Sequence, residues 1–175
     1  DNNNTIELDA ASFQGLGNKS NPFRGVIVGD LGGTQATISI NNDTGSLMGL
    51  IPYSYGSVVK NLNVVYQSGI SAIRYSEKDS SGVPGSFFGG VIGCIMGSAV
   101  VAVSSSNTDP VIAAVTGKSS DSHLVPIGGY VGAVAGGGVL FRNSSGGKGA
   151  LNAWHNAGTS RYDNPYVGRV IDGYA

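Results

Sequence analysis

Apolar and polar residues alternate along short stretches of this chain and nowhere along a long one. The segments "NTIELDA" (4–10), "TQATISI" (34–40) and "KNLNVVY" (60–66) alternate over short spans, bounded by Asn, Asp, Ser or Gly. That period matches a β-strand, whose successive side chains point to opposite faces. Two further stretches, "GGVIGCIMGSAVV" (89–101) and "GGYVGAVAGGGVL" (128–140), carry no charge and are threaded with glycine at similar steps. Val and Ile dominate their apolar positions, again a strand signal. No amphipathic helix of about twelve residues or more, with start and stop caps, can be drawn. The pattern predicts an all-β chain with little or no α-helix.

Glycine also repeats on a longer scale. Gly49, Gly90 and Gly129 correspond, with steps of 41 and 39, and Gly56, Gly97 and Gly136 keep the same steps. Gly93, Gly132 and Gly168 extend the series with steps of 39 and 36. A period near forty residues marks a solenoid, a propeller or a helical array. A propeller fits poorly, because four blades is its lower limit and the blade signature is absent, Trp154 being the only Trp. The expected fold is a parallel β-helix (β-solenoid) formed by residues 1–175 as one domain. Each repeat is expected to make two coils of roughly twenty residues. The stretches "YSEKDSSGVPG" and "RNSSGGKGA" are expected to be outward loops.

One long run resembles a known family. Asn21-Pro22-Phe23-Arg24-Gly25, Gly29-Asp30, Gly45-Ser46-Leu47-Met48-Gly49 and Val59-Lys60-Asn61-Leu62-Asn63-Val64 follow the order of the glycine-rich GLUG-type repeat. The resemblance covers residues 13–66 well and the later repeats loosely, with "GDLGGTQATI" standing where "DGNGHTI" is commoner. That repeat occurs in surface proteins of Gram-positive bacteria. The resemblance implies a right-handed parallel β-helix on a large surface or adhesin-like polypeptide.

Composition narrows the partners. The chain is 41% hydrophobic and 12% charged, with a formal charge of -1, so nothing electrostatic points to nucleic acid or an anionic membrane. Ser, Thr and Asn then carry the surface, as in many extracellular β-proteins. The chain starts at Asp1 without a basic, apolar leader, and is expected to be a processed or excised piece of a longer polypeptide. Sequons begin at Asn3, Asn18, Asn42 and Asn143. A glycine-zipper membrane hairpin is the rival reading of 89–101 and 128–140, since Gly89, Gly93 and Gly97 fall four apart. Pro52, Lys60, Arg169 and Asp172 in or beside the related phrases count against membrane insertion.

Candidate chemistry is thin. Cys94 lies in an apolar run without a neighbouring cation or histidine to activate it. Asp121-Ser122-His123 are sequence neighbours, whereas a triad is assembled in space. His155 has no obvious carboxylate partner nearby, and two histidines with one cysteine make no convincing zinc site. Gly147-Lys148-Gly149 lacks the Ser or Thr of a phosphate loop, and "GLGNKS" (15–20) lacks its third glycine. "NNDTG" (41–45) lacks the glutamate of a calcium loop. Asn107-Thr108-Asp109 matches one piece of a polygalacturonase signature, but the further carboxylates that glycoside hydrolysis needs are missing. Thr34 and Thr37 are too few for an ice-binding rank.

No catalytic, cofactor-binding or metal-binding residue is therefore assigned, and no enzyme activity or cofactor is expected. The expected function is a non-catalytic extracellular structural module: a surface stalk, an adhesin-like spacer, or the subunit of a self-assembling filament stacked end to end. Its partners would be other copies of itself or flanking domains of the parent polypeptide, at a bacterial cell surface. The alternative is a polysaccharide-binding or polysaccharide-cleaving β-helix. Glycan-binding aromatics would then come from Tyr53, Tyr55, Tyr130, Trp154 and Tyr162.

Overall fold

A computed structural model describes residues 4–29, 32, 34–41, 48–67, 73–74, 85, 87–102, 115–116, 126–128, 130–135, 138–142, 162–164, 167–170 and 173–174. Seventeen strands and no helix lie among them. A first pass of the chain forms β1 (Thr5–Asp9), a bridge from Phe23 to Ser54, and β2 (Val26–Val28). The second forms β3 (Ala36–Asn41), β4 (Ile51–Ser54) and β5 (Ser57–Lys60). The third forms β6 (Leu62–Tyr66), β7 (Ile73–Arg74), β8 (Phe88–Gly89), β9 (Ile92–Ile95) and β10 (Ser98–Ala102). Then come β11 (Val115–Thr116), β12 (Pro126–Gly128), β13 (Val131–Val134) and β14 (Gly138–Arg142), and finally β15 (Tyr162–Asn164), β16 (Val167–Val170) and β17 (Gly173–Tyr174).

These strands sort into five open sheets: β1-β3-β6, β2-β5-β10-β14-β17, β4-β9-β13-β16, β8-β12-β15 and β7-β11. Every ladder between them is parallel. Parallel neighbours cannot be joined by a tight hairpin. The chain therefore leaves each sheet, forms strands elsewhere, and returns beside its earlier strand.

The register corrects one expectation. Ile51 pairs with Ile92, 41 residues on, Ile92 with Val131 after 39, and Val131 with Val167 after 36. The first passes are shorter, with Thr5 beside Thr37 at a step of 32 and Ala36 beside Leu62 at 26. No ladder among the described residues joins positions twenty apart. One repeat is thus one circuit and not two coils, because a single pass must cross several sheets and their connections. The glycine alignment holds for Gly93 and Gly132, which lie between paired flanks, Ile92 with Val131 and Cys94 with Ala133. It fails for Gly56, Gly97 and Gly136, because Ser57 pairs with Ala99 and Ser98 with Val139, which sets Gly56 opposite Ser98 and Gly97 opposite Gly138.

Alternation decides which side chains are inside. Leu62, Val64 and Tyr66 of β6 are buried while Asn63 and Val65 are half-buried; in β3 Ala36, Ile38 and Ile40 are buried, and Ser39 on the other face is buried as well. On the other face Asn63 donates from Nδ2 to Thr37 Oγ1 at 3.3 Å, and Gln67 from Nε2 to Ser39 Oγ at 3.0 Å. Thr37 also stands beside Thr5, but the threonine rank stops at Asn63.

The β4-β9-β13 strands are buried at every position. Ile51, Ile92 and Val131 join the main core, whereas Tyr53, Cys94 and Ala133 join a second cluster around Phe87. A parallel sheet covered on both faces needs near-continuous apolar sequence. "VIGCI" and "YVGAV" supply it, with glycine where neighbouring backbone passes too close for a side chain. A Cβ on Gly93 would meet Phe87 Cε2 at 2.5 Å and Pro52 O at 2.7 Å. The glycines of 89–97 thus serve sheet contact, and the helical zipper reading of this segment is replaced by β8, β9 and β10. No helix among the described residues is long and apolar enough to cross a membrane.

Two corners are set by single residues. Gly56 turns β4 into β5 with φ at 80°, and Asn61 turns β5 into β6 with φ at 52°. Both are left-handed conformations that glycine and asparagine adopt most readily. Across the first corner the buried hydroxyls of Ser54 and Ser57 hydrogen-bond to each other, so each satisfies the other inside the core.

Candidate functional site

Cys94 is fully buried in the second cluster, beside Tyr53. Burial pushes its thiol up to about 12, with Lys19 pulling weakly the other way. Burial also raises the Tyr53 hydroxyl, and Cys94 adds to that rise. A thiol so held is neither a nucleophile nor a metal ligand at neutral pH. Above about 9 the unfolded thiol ionises while the folded one keeps its proton, so ionisation favours unfolding. Stability is expected to fall between pH 9 and 12, by at most about 1.4 kcal/mol per pH unit from this group. Urea unfolding at pH 8 and 11 checks this: Cys94→Ala should lose less stability over that interval than the unsubstituted chain. The native thiol should also resist alkylation at pH 8.

The other candidates divide between turns and undescribed positions. "GLGNKS" is a turn, in which Asn18 Oδ1 accepts from the backbone N–H of Ser20 at 3.0 Å and of Asn21 at 2.9 Å. Gly15 and Gly17 there have φ of 85° and 82°. Asp121, Ser122, His123, Asn107, Thr108, Asp109, Gly147, Lys148, Gly149, Trp154, His155, Asn42, Asn143 and Asn3 lie outside the described residues. Among the described residues no group of three His, Cys, Asp or Glu side chains could hold a metal ion.

The aromatic candidates separate by burial. Tyr53 and Tyr130 are buried, and of Tyr162 only the backbone in β15 is described. Tyr55 is exposed, but the Arg24 guanidinium lies 4.2 Å from its ring centroid and the ring packs against Gly97. Much of that ring is therefore occupied by the protein's own side chain and backbone.

What the structure leaves open is an edge. In the column Val64, Ile38, Ile6 the residue exposure rises from 1% to 9% to 57%. In β2, Val26 and Val28 are 66% and 45% exposed, while Ile27 packs on the core. β2 is the outermost strand of its sheet, and its residues Val-Ile-Val contain no charge and no proline. Natural edge strands are commonly blunted by charge, proline or a bulge. Sequence reading passed over these residues as part of a longer phrase. Three uncharged β-branched residues between Gly25 and Gly29 were the available signal, but only tertiary pairing shows that one side of them is uncovered.

No protein-family profile, curated protein or solved structure matches the chain. The geometry of the chain's own residues carries the functional reading.

Proposed function

We propose that the chain is a non-catalytic structural module, a parallel β-solenoid that serves as a spacer or stalk at a bacterial cell surface. The observation that carries this reading is the common order in which successive passes enter β2-β5-β10-β14-β17 and β4-β9-β13-β16. In these two sheets each pass adds a strand beside its predecessor's, so length is gained by adding passes, as in other quasi-one-dimensional proteins. The resemblance to GLUG-type repeats supports the same fold and the surface location. The buried, protonated Cys94 and the engaged Tyr55 ring support an architectural role over chemistry at these positions.

Removing one pass tests it. Deletion of residues 93–131 joins Ile92 to Gly132, a position equivalent to Gly93 in the ladder. The shortened chain should keep its β-sheet circular dichroism and lose about 4.8 Å of length in small-angle scattering, one strand spacing. A deletion variant that unfolds, or a parent chain that scatters as a compact sphere, overturns the module reading.

A further inference from the structure

We infer that the second core cluster is a peroxide-sensitive modification site, in which Met48 and Met96 are oxidised first and their oxidation uncovers the Cys94 thiol. It goes beyond the spacer reading and needs only the packing of β4, β9 and β13.

Tertiary structure gathers the chain's sulfur in one place. The sequence has two methionines and one cysteine: Met48, Met96 and Cys94. All three belong to the cluster around Tyr53 and Phe87, and the main core among the described residues holds none of them. Strand pairing makes the meeting. Tyr53 of β4 lies beside Cys94 of β9, and the Met48 carbonyl accepts from the Gly89 N–H at 3.4 Å. The same carbonyl fills the space that a Cβ on Gly93 would need, so Met48 is held against the start of β9. Met96 stands just past the other end of that strand, where its N–H donates to Ser54 O at 2.9 Å.

Burial then sets the order of attack. Phe87 and Cys94 are completely buried and Tyr53 nearly so, while Met48 and Met96 are half-buried. An oxidant in solution reaches the thioethers before the thiol. Ionisation gives the same order, because a thioether reacts without losing a proton, whereas a thiol must become thiolate and Cys94 is held protonated by burial. In the reaction the methionine sulfur attacks one oxygen of hydrogen peroxide and the O–O bond breaks. The proton on the transferred oxygen passes to the departing hydroxide, which leaves as water. Sulfur loses two electrons, the peroxide gains two, and a sulfoxide remains.

A sulfoxide is polar where the thioether was apolar, and it disrupts the packing that methionine supplies. This cluster has little else to close it. Its two large buried side chains, Tyr53 and Phe87, meet edge to face with centroids 5.1 Å apart, and its other buried members are Cys94 and two alanines. Methionines that turn outward to hydrate their S=O groups would remove much of the cover over Cys94. Ile92 and Val131 hold β9 and β13 to the main core from the opposite face, so the sheet should persist while the cluster opens.

Hydrogen peroxide added to the full chain at pH 7 is the test, read by peptide mass spectrometry and by alkylation of Cys94 with iodoacetamide. Met48 and Met96 should each gain one oxygen before Cys94 gains any. Alkylation of Cys94 should then quicken by about tenfold, as for an eased local opening, with the β-sheet circular dichroism retained. Met48→Leu combined with Met96→Leu nearly conserves volume, and should leave Cys94 as inert after peroxide as before it. The order of oxidation is read in the unsubstituted chain and needs no variant. Methionines that stay unmodified at doses that oxidise free methionine overturn the inference. Alkylation of Cys94 that is unchanged by their oxidation, or that quickens equally in the leucine variant, overturns it too. Loss of the β-sheet spectrum on oxidation does the same, since the thiol would then be uncovered by global unfolding. None of these outcomes depends on whether the module serves as a spacer.

Discussion

Replacing Gly132 by alanine is expected to lower the stability of the fold by about 3 kcal/mol, at the upper end of overpacking costs. The added Cβ would lie 2.5 Å from Phe88 O, 2.6 Å from Gly93 O and 2.7 Å from the Phe88 carbonyl carbon. All three atoms are backbone, two in β8 and one in β9, so no side chain can rotate away. Relief requires β13 to move off its neighbour, which strains the ladder that joins Val131 to Ile92 and Ala133 to Cys94. Gly56→Ala is the comparison, because nothing lies within 4 Å of a Cβ there and only its φ of 80° is strained. That substitution should cost about 1 kcal/mol, the price of the left-handed backbone alone. Urea unfolding of both variants separates crowding from backbone strain. Equal costs would show that the glycine column does not mark close contact between passes.

Phe88→Ala should be at least as damaging, with an expected loss of about 4 kcal/mol. Phe88 is among the largest fully buried side chains, and its ring meets the edge of Tyr66 with centroids 5.6 Å apart at 64°. Tyr66 is anchored in turn, its hydroxyl donating to the Gly90 carbonyl at 2.9 Å inside the protein. Truncation leaves a cavity between β6 and β8 and removes the favourable edge contact of the two rings. It also loosens the anchor that holds Tyr66 over the turn at Gly90. Phe88→Leu fills most of that space and should cost less than half as much. A Phe88→Ala variant within about 1 kcal/mol of the parent would mean that the site collapses freely and that the core is not shared between these passes.

Local signals fixed much of the architecture. Period-two stretches around Ile6, Thr37 and Val64 lie in strands, because side-chain alternation is a property of the backbone itself. The recurrence of Gly93 and Gly132 located equivalent positions, since close strand contact excludes a Cβ wherever it recurs. The same reasoning could not say how many coils one repeat makes. Pairing between Ile51 and Ile92 joins residues 41 apart, and no local preference distinguishes that from a shorter step.

Burial on both faces of β9 was hidden for a related reason. "VIGCI" reads the same as a strand or as one face of an apolar helix, and the choice rests on the neighbours at β4 and β13. For the candidate site, the sequence already argued against an activated Cys94, because no cation or histidine stood near it along the chain. It was silent on the edge at β2. Val26, Ile27 and Val28 have the composition of an interior strand, and exposure is decided by which strand does or does not lie alongside. Residue chemistry therefore determined that this chain is built of short β-strands repeated at glycine-marked intervals. Long-range pairing alone decided the length of each circuit, the sheet that is buried on both faces, and the apolar strand left uncovered at its edge.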